Sequence, residues 1–353
     1  MKVSKTDLPL PPQRVLVKEV NWLGDVVMSL PALKAVRQAL PQAYLAVLVK
    51  RDLAGFFDGA AWIDEVIPYT VARGLRGLAD RRAVVGQIRA RRFDLAILFP
   101  KSFEAALWAT LARVPRRAGV VADGRGPLLT HKAVLCADVL QRHQVHQYLH
   151  LLRQSLGING DIDDYTPDIH APHRAQMHAW LADRRRRPHA QLVALAPGAA
   201  FGPAKEWPAA HYAALIDLLA QRCKAECVMV GSAGERRKCE EVAAASGEGA
   251  LIAAGETNVG ELMALLSLCD GFAGNDSGSM HVAGALGIPT VGLYGSTDPA
   301  RTGPLGPKIK VLYRRIECSP CLQRTCRFGH YDCLRRIAPE EVVQALRDLG
   351  ALE

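Results

Sequence analysis

Aromatic residues make up only 6% of this sequence, and no uninterrupted apolar run is long enough to span a bilayer. The scarcity of rings, with no basic helix interleaved by them, argues against nucleic-acid binding. The second absence excludes an integral membrane helix. The opening "MKVSKTDLPLPPQRVLVKEV" carries lysines but no apolar core ahead of its prolines. The expectation is therefore a protein without a signal peptide, resident in the cytoplasm. Neither G-x-G-x-x-G nor a Walker A loop occurs, which argues against NAD-linked and P-loop chemistry. There is no short-period repeat.

What is present is an excess of positive charge. Forty-four Lys and Arg stand against thirty-five Asp and Glu, for a net +9 and a pI near 9.2. Such a surface suits phosphorylated substrates or an anionic membrane. A solvated arginine-rich exterior is the plainer alternative, and the run Arg184–Arg187 before Pro188 reads as a solvated helix end. With 353 residues, 49% of them hydrophobic and 22% charged, the chain has enough material for two packed domains.

Apolar strand patterns alternate with helical ones. "RVLVKEV" reads as a strand, followed by the helix "NWLGDVVMSLPALKAVRQALP", the strand "AYLAVLVK", the strand "FDLAILFP" and the helix "KSFEAALWATLARV". The alternation lapses into a polar helix from about Ala171. It resumes with "QLVALAPGA", "AAHYAALIDLLAQRC", "ECVMVGS", a helix from Glu235, "VGELMALLSLCD", "GFAG", "MHVAGALG" and "PTVGLYG". Alternation of this kind predicts parallel sheets with helical crossovers. Each half begins afresh with a strand–loop–helix unit. Two Rossmann-like domains are expected, 1–170 and 171–353, with the break near 165–190.

Ligands in open parallel sheets sit beyond the carboxyl ends of the strands. In "GNDSGSMHVAG" a strand ends, the chain turns, and a helix starts. The first turn of a helix offers unpaired N–H groups and a positive dipole end. Gly278 admits an anion close to the backbone, and Ser277 adds a hydroxyl, so a phosphate cradle is expected. Asp276 would repel phosphate but accept hydrogen bonds from sugar hydroxyls beside it. The alternative is a plain N-cap. "PGAAFGPAKEWP" is a stiff loop with room for a ligand, and Lys205, its one cation, could neutralise a diphosphate. Trp207-Pro208 opens the next helix. In the N-terminal half, "NWLGD" puts Gly24 and Asp25 at a strand-to-helix turn. That carboxylate is a cap or, facing a phosphate site in the other domain, the base of an inverting sugar transferase.

"NWLGDVVMSLPALKAVRQALP", "PKSFEAAL", "PGAAFGPAKEWP", "NDSGSMHVAGALGIPTVGLYGSTDP" and "CSPCLQRTCRFGHYDCL" resemble the bacterial lipopolysaccharide heptosyltransferases of glycosyltransferase family 9. The resemblance runs from about Arg14 to Leu349 and leans toward the heptosyltransferase II branch. It implies an α/β GT-B fold, two Rossmann-like domains facing across a cleft. It also implies transfer of heptose from ADP-L-glycero-β-D-manno-heptose to heptosyl-Kdo2–lipid A with inversion, and no catalytic metal. By position, Asp25 is the expected acceptor-side base and Lys205 the diphosphate lysine. Asp276, Ser277, Gly278 and His281 form the donor turn, with Gly198 beside them. Glu235 resembles the acid that holds the adenosine ribose. Gly24, Lys101, Arg116 and Arg117 are acceptor-side candidates. A lipid-borne acceptor implies a peripheral protein on the cytoplasmic face of the inner membrane. The alternatives are a heptosyltransferase I or III with another acceptor, or a nucleotide-sugar-binding protein without turnover.

An Asp at a helix start is a weak base, because the dipole favours its ionised form. Proton removal is therefore expected late, once the attacking oxygen has bonded to the ring carbon. Nine cysteines are present, and Cys318, Cys321, Cys326 and Cys333 cluster as C-x2-C-x4-C-x6-C, with His330 between the last two. In a cytoplasmic chain such a cluster suggests a structural zinc or iron site. Free thiols and disulfides are the alternatives.

Overall fold

The computed structural model describes residues 11–72 and 74–352. The chain divides into two compact units, one ending at Tyr165 and the next beginning at Thr166.

The first unit is built on six strands: β1 (Arg14–Lys18), β2 (Tyr44–Lys50), β3 (Glu65–Tyr69), β4 (Leu95–Leu98), β5 (Arg116–Val120) and β6 (His131–Ala133). The second has β7 (Leu192–Ala196), β8 (Glu226–Met229), β9 (Leu251–Ile252), β10 (Gly271–Asn275), β11 (Thr290–Tyr294) and β12 (Ile309–Tyr313). The sheet orders are β3-β2-β1-β4-β5-β6 and β12-β11-β10-β7-β8-β9. All neighbours are parallel. Each unit thus builds outward from its first strand, then returns to the centre and builds the other way. This is the Rossmann order, and its ligand position is the crevice where the direction reverses. In the first unit that crevice lies between β1 and β4, where Val15 pairs with Leu95. In the second it lies between β7 and β10, where Phe272 pairs with Ala194.

The central strands β4, β7, β10 and β11 are buried at every residue. Parallel sheets covered on both faces need such continuous apolar runs. The helix Ala209–Cys223 shows how the covering layer forms. Its Tyr212, Leu215, Ile216 and Leu219 make one buried stripe at helical spacing. They join Val342 and Leu346 of the terminal helix Pro339–Asp348 in the core. Burying each such side chain contributes about 2 kcal/mol. No helix of the described residues is long and apolar enough to cross a membrane.

Candidate active site

In the second unit, the loops after β7 and β10 meet at the reversal point. Asn275, fully buried at the end of β10, ties them together. Its Oδ1 accepts from the Trp207 backbone N–H and the Tyr212 hydroxyl, both at 3.0 Å. Its Nδ2 donates to the Pro197 carbonyl at 2.8 Å. The loop that carries Lys205 is therefore pinned at both ends by one amide. Trp207 adds an indole N–H to the Ile337 carbonyl at 3.0 Å.

Asp276 follows directly and is 6% exposed. Lys205 Nζ donates to its Oδ2. The Thr297 hydroxyl donates to the same oxygen at 2.6 Å, and His281 Nε2 lies 3.7 Å from Oδ1. Burial pushes this carboxyl's pKa up, but His281 and Lys205 outweigh it and hold the pKa at about 2. The turn therefore presents an ionised carboxylate beside a lysine, at the N-terminus of the helix Gly278–Ala285. Ser277 is the N-cap residue, in extended conformation, but its side chain does not cap. Its hydroxyl lies 3.0 Å from that of Ser279. The plain-cap alternative thus finds no cap hydrogen bond here.

Glu235, after β8, closes a capping box on Ser232 through Oε2, accepting from its N–H and its hydroxyl at 2.7 Å each. It also lies against Gly198, where an added Cβ would come within 2.2 Å of Glu235 Oε1. A side chain at 198 would have to push the Glu235 carboxylate aside. Gly202, at φ +140°, presses against the Arg324 carbonyl, which also accepts the Ala204 N–H at 3.0 Å. The cysteine-rich segment thus braces the Lys205 loop. Lys205 Nζ and the Arg324 guanidinium lie 4.9 and 5.2 Å from the centre of the Phe201 ring.

In the first unit, Gly24 and Asp25 fall in the first turn of the helix Leu23–Ala39, whose N-cap residue is Trp22. Asp25 Oδ1 accepts from Gln144 Nε2 at 2.8 Å. Gln144 also donates to the Tyr148 hydroxyl at 2.9 Å. Lys101, in the loop after β4, donates to Gln147 Oε1 at 2.7 Å. Gln144 is the N-cap residue of the helix Val145–Leu156, and Gln147 lies in its first turn. One helix thus holds both the candidate base and the candidate cation at the reversal point of this sheet.

Arg116 and Arg117 are not brought to that place. They open β5, at the amino edge of the sheet, whereas Asp25 and Lys101 follow the carboxyl ends of β1 and β4. Arg116 pairs with Asp94 at 3.4 Å. Arg117 donates to the Leu128 and Val114 carbonyls at 2.6 and 2.5 Å. These contacts fasten loops around β4 and β5.

Among the described residues, no three His, Cys, Asp or Glu side chains form a group that could hold a metal ion. All nine cysteines are free. The four thiols lie near one another, and Cys318, Cys321 and Cys326 all act electrostatically on Cys333. Cys318 Sγ lies 3.9 Å from His330 Nε2. Cys326 is raised by burial but lowered overall by the N–H groups of residues 328–331. Cys333 lies under Gly295 and is pushed to about 11, chiefly by burial.

Asn275, Thr297, Gln144, Gln147 and Arg324 were not among the sequence candidates. Asn275 stood inside the quoted donor turn. The two glutamines carry no local signal, since Gln144 and Asp25 are 119 residues apart.

The profile of glycosyltransferase family 9 (heptosyltransferase) matches residues 81–332. Lipopolysaccharide heptosyltransferase 2 of Salmonella typhimurium is 30% identical over 349 residues, 95% of this chain and 98% of that one. Lipooligosaccharide heptosyltransferase 2 of Haemophilus ducreyi is 29% identical, over 96% and 99%. The solved structure of E. coli ADP-heptose LPS heptosyltransferase II matches with a TM-score of 0.81 at 28% identity, over 95% and 98%. Two Rossmann-ordered units and this match make the fold GT-B. A profile covering most of the chain, and relatives aligned along nearly all of it, carry one conclusion: the chain belongs to glycosyltransferase family 9, the heptosyltransferases.

Proposed function

We propose that this chain moves heptose from ADP-L-glycero-β-D-manno-heptose to heptosyl-Kdo2–lipid A, with inversion, in assembly of the lipopolysaccharide inner core. The observation that carries this reading is the buried Lys205–Asp276 turn at the reversal point of the second sheet, in a chain that aligns end to end with relatives named for heptosyl transfer. Breaking the sugar–diphosphate bond leaves its electron pair on ADP. Lys205 and the N-terminus of helix Gly278–Ala285 take up that charge. Asp276, oriented by Thr297 and His281, accepts hydrogen bonds from sugar hydroxyls. Glu235 meets the ribose across Gly198. The acceptor oxygen bonds to the anomeric carbon, and its proton passes to Asp25, which Gln144 orients. Gly24 stands beside Asp25 at the helix start, and Lys101 meets the acceptor's anionic groups. These roles use the chain's own side chains and require no cofactor.

The test is transfer from ADP-heptose to defined truncated acceptors. Heptosyl-Kdo2–lipid A should gain one heptose as ADP is released. Transfer only to Kdo2–lipid A, or only to a longer core, would assign a different step. Donor binding without transfer to any acceptor would make the protein a binding module.

We further propose peripheral attachment to the cytoplasmic face of the inner membrane. The net charge of +9 supports it. So do Trp22 and Phe103, which flank Asp25 and Lys101 in sequence and are 56% and 42% exposed. Binding to anionic vesicles should weaken as salt rises. Equal binding to neutral vesicles would remove the electrostatic part of this reading.

The cysteine-rich segment bears on the donor site through its bracing of the Lys205 loop. Elemental analysis of reduced protein purified without a His tag tests the cluster: a full equivalent of zinc or iron would make it a structural metal site, and sub-stoichiometric zinc and iron in active protein would rule that site out.

A further inference from the structure

Lys205 alone does not balance the charge that a sugar diphosphate brings to the donor turn. Its ammonium is already bonded to the ionised Asp276 carboxylate, so the pair is neutral. Each phosphate of the donor is ionised, and the departing group gains further charge as the sugar leaves. The N-terminus of helix Gly278–Ala285 offers a partial charge of about half a unit. A second full cation stands against the same loop. Arg324, in the cysteine-rich segment, is exposed. Among the described residues its guanidinium has no hydrogen bond and no ion pair. It lies 5.2 Å from the centre of the Phe201 ring, which Lys205 Nζ approaches to 4.9 Å. One ring of the loop after β7 thus carries both cations.

An exposed arginine is ordinarily a solvated one. The backbone of Arg324 sets it apart. Its carbonyl accepts the N–H of Ala204, the residue before Lys205, at 3.0 Å. A Cβ on Gly202 would come within 2.7 Å of the same carbonyl oxygen, so the two chain segments are in close contact. Two residues earlier, the Leu322 N–H donates to the Ser296 carbonyl at 2.7 Å, and the Ser319 hydroxyl donates to the Gly295 carbonyl. Ser296 precedes Thr297, whose hydroxyl bonds Asp276. The segment is therefore fastened to both loops that hold the Asp276 carboxylate. A guanidinium in such a place needs little ordering to bind, and its planar fork can donate two parallel hydrogen bonds to phosphate oxygens. We propose that Arg324 is a second diphosphate-binding residue, which grips the donor's phosphates beside Lys205 and takes up charge on the departing ADP. The inference rests on the reading of the Lys205–Asp276 turn as the diphosphate site. Arg327, three residues on, is placed otherwise. Its guanidinium lies 4.6 Å from the centre of the exposed Phe328 ring.

The experiment is calorimetric binding of ADP and AMP to the full chain, with steady-state heptosyl transfer alongside. Arg324→Gln keeps the backbone carbonyl that braces the loop and removes the charge. ADP affinity should weaken by roughly 10-fold, the scale of one charged hydrogen-bonded contact. AMP, which lacks the phosphate next to the sugar, should lose less. Transfer at saturating donor should slow too, because the contact strengthens as the leaving group gains charge. Arg324→Lys should recover part of both losses, and Arg327→Gln should bind ADP as wild type does. In a Lys205→Ala background, Arg324→Gln should weaken ADP again by a similar factor, whereas an Arg324 that acts only by placing Lys205 would add nothing there. Unchanged ADP affinity and turnover in Arg324→Gln, with both lost in Lys205→Ala, would overturn the inference and leave the diphosphate reading standing. Equal losses in Arg324→Gln and Arg327→Gln would also overturn it, since the general charge of the segment would then account for them. If Lys205→Ala itself bound ADP normally, the diphosphate reading would fall and this inference with it.

Discussion

Asp25→Asn should lower heptosyl transfer by roughly 100-fold or more while leaving ADP-heptose affinity within a few-fold, the usual scale for loss of a general base. The substitution is conservative in every other respect. Asparagine has the same size, and its Oδ1 can still accept the hydrogen bond from Gln144. What disappears is the capacity to hold the acceptor's proton. An acid in the first turn of a helix also stabilises that helix by up to about 1 kcal/mol. If that were its whole purpose, the variant would melt slightly earlier and transfer at the wild-type rate. Steady-state transfer beside calorimetric donor affinity separates the two cases.

Lys205→Ala should fail differently. Its charge meets the diphosphate before and during bond breaking. Donor affinity should therefore weaken by roughly 10- to 100-fold, and transfer at saturating donor should slow as well, because charge on the leaving group grows. The same variant leaves Asp276 buried with only Thr297 and His281 beside it. A carboxylate with a depressed pKa stabilises the fold above its unfolded value near 4, and that stabilisation disappears as pH falls through about 2. Without Lys205 the depression shrinks, so acid unfolding should begin at higher pH than in wild type. Normal donor binding with full turnover would place the diphosphate elsewhere.

The strands that the sequence reveals are those buried on both faces. β1, β2, β4, β7, β8, β10 and β11 read as apolar runs because helices cover both sides of them. β3 contains Pro68 and lies at an edge, β5 opens on two arginines, β9 has two residues, and β12 is a half-buried edge. Such segments lack the continuous apolar signal, and only pairing with a neighbour defines them. The site divides along the same line. Asp25, Lys205 and Asp276 stood out because each lies in a loop after a strand. That Lys205 bonds Asp276, 71 residues away, or that Gln144 and Gln147 hold Asp25 and Lys101, depends on tertiary packing that no local pattern encodes. Arg116 and Arg117, carried over from the resemblance, open β5 at the edge of the sheet away from the loops that carry Asp25 and Lys101.

The outward-and-back order of both sheets also bears on how the protein is made. β4 must return across two strands to pair with β1, joining Val15 to Leu95, and β10 must do the same to reach β7. Non-local pairings of this kind close slowly. The seam they close is the one that carries the ligand loops, so neither half of the site exists until its sheet is joined at the centre. Because the first unit is contiguous and ends at Tyr165, a ribosome can release it whole before the second begins to emerge, and the seams can close one after the other during translation. A nascent chain stopped before Leu95 would keep Asp25 in its sequence and pair β1 with β2, but lack β4, the strand that closes the crevice.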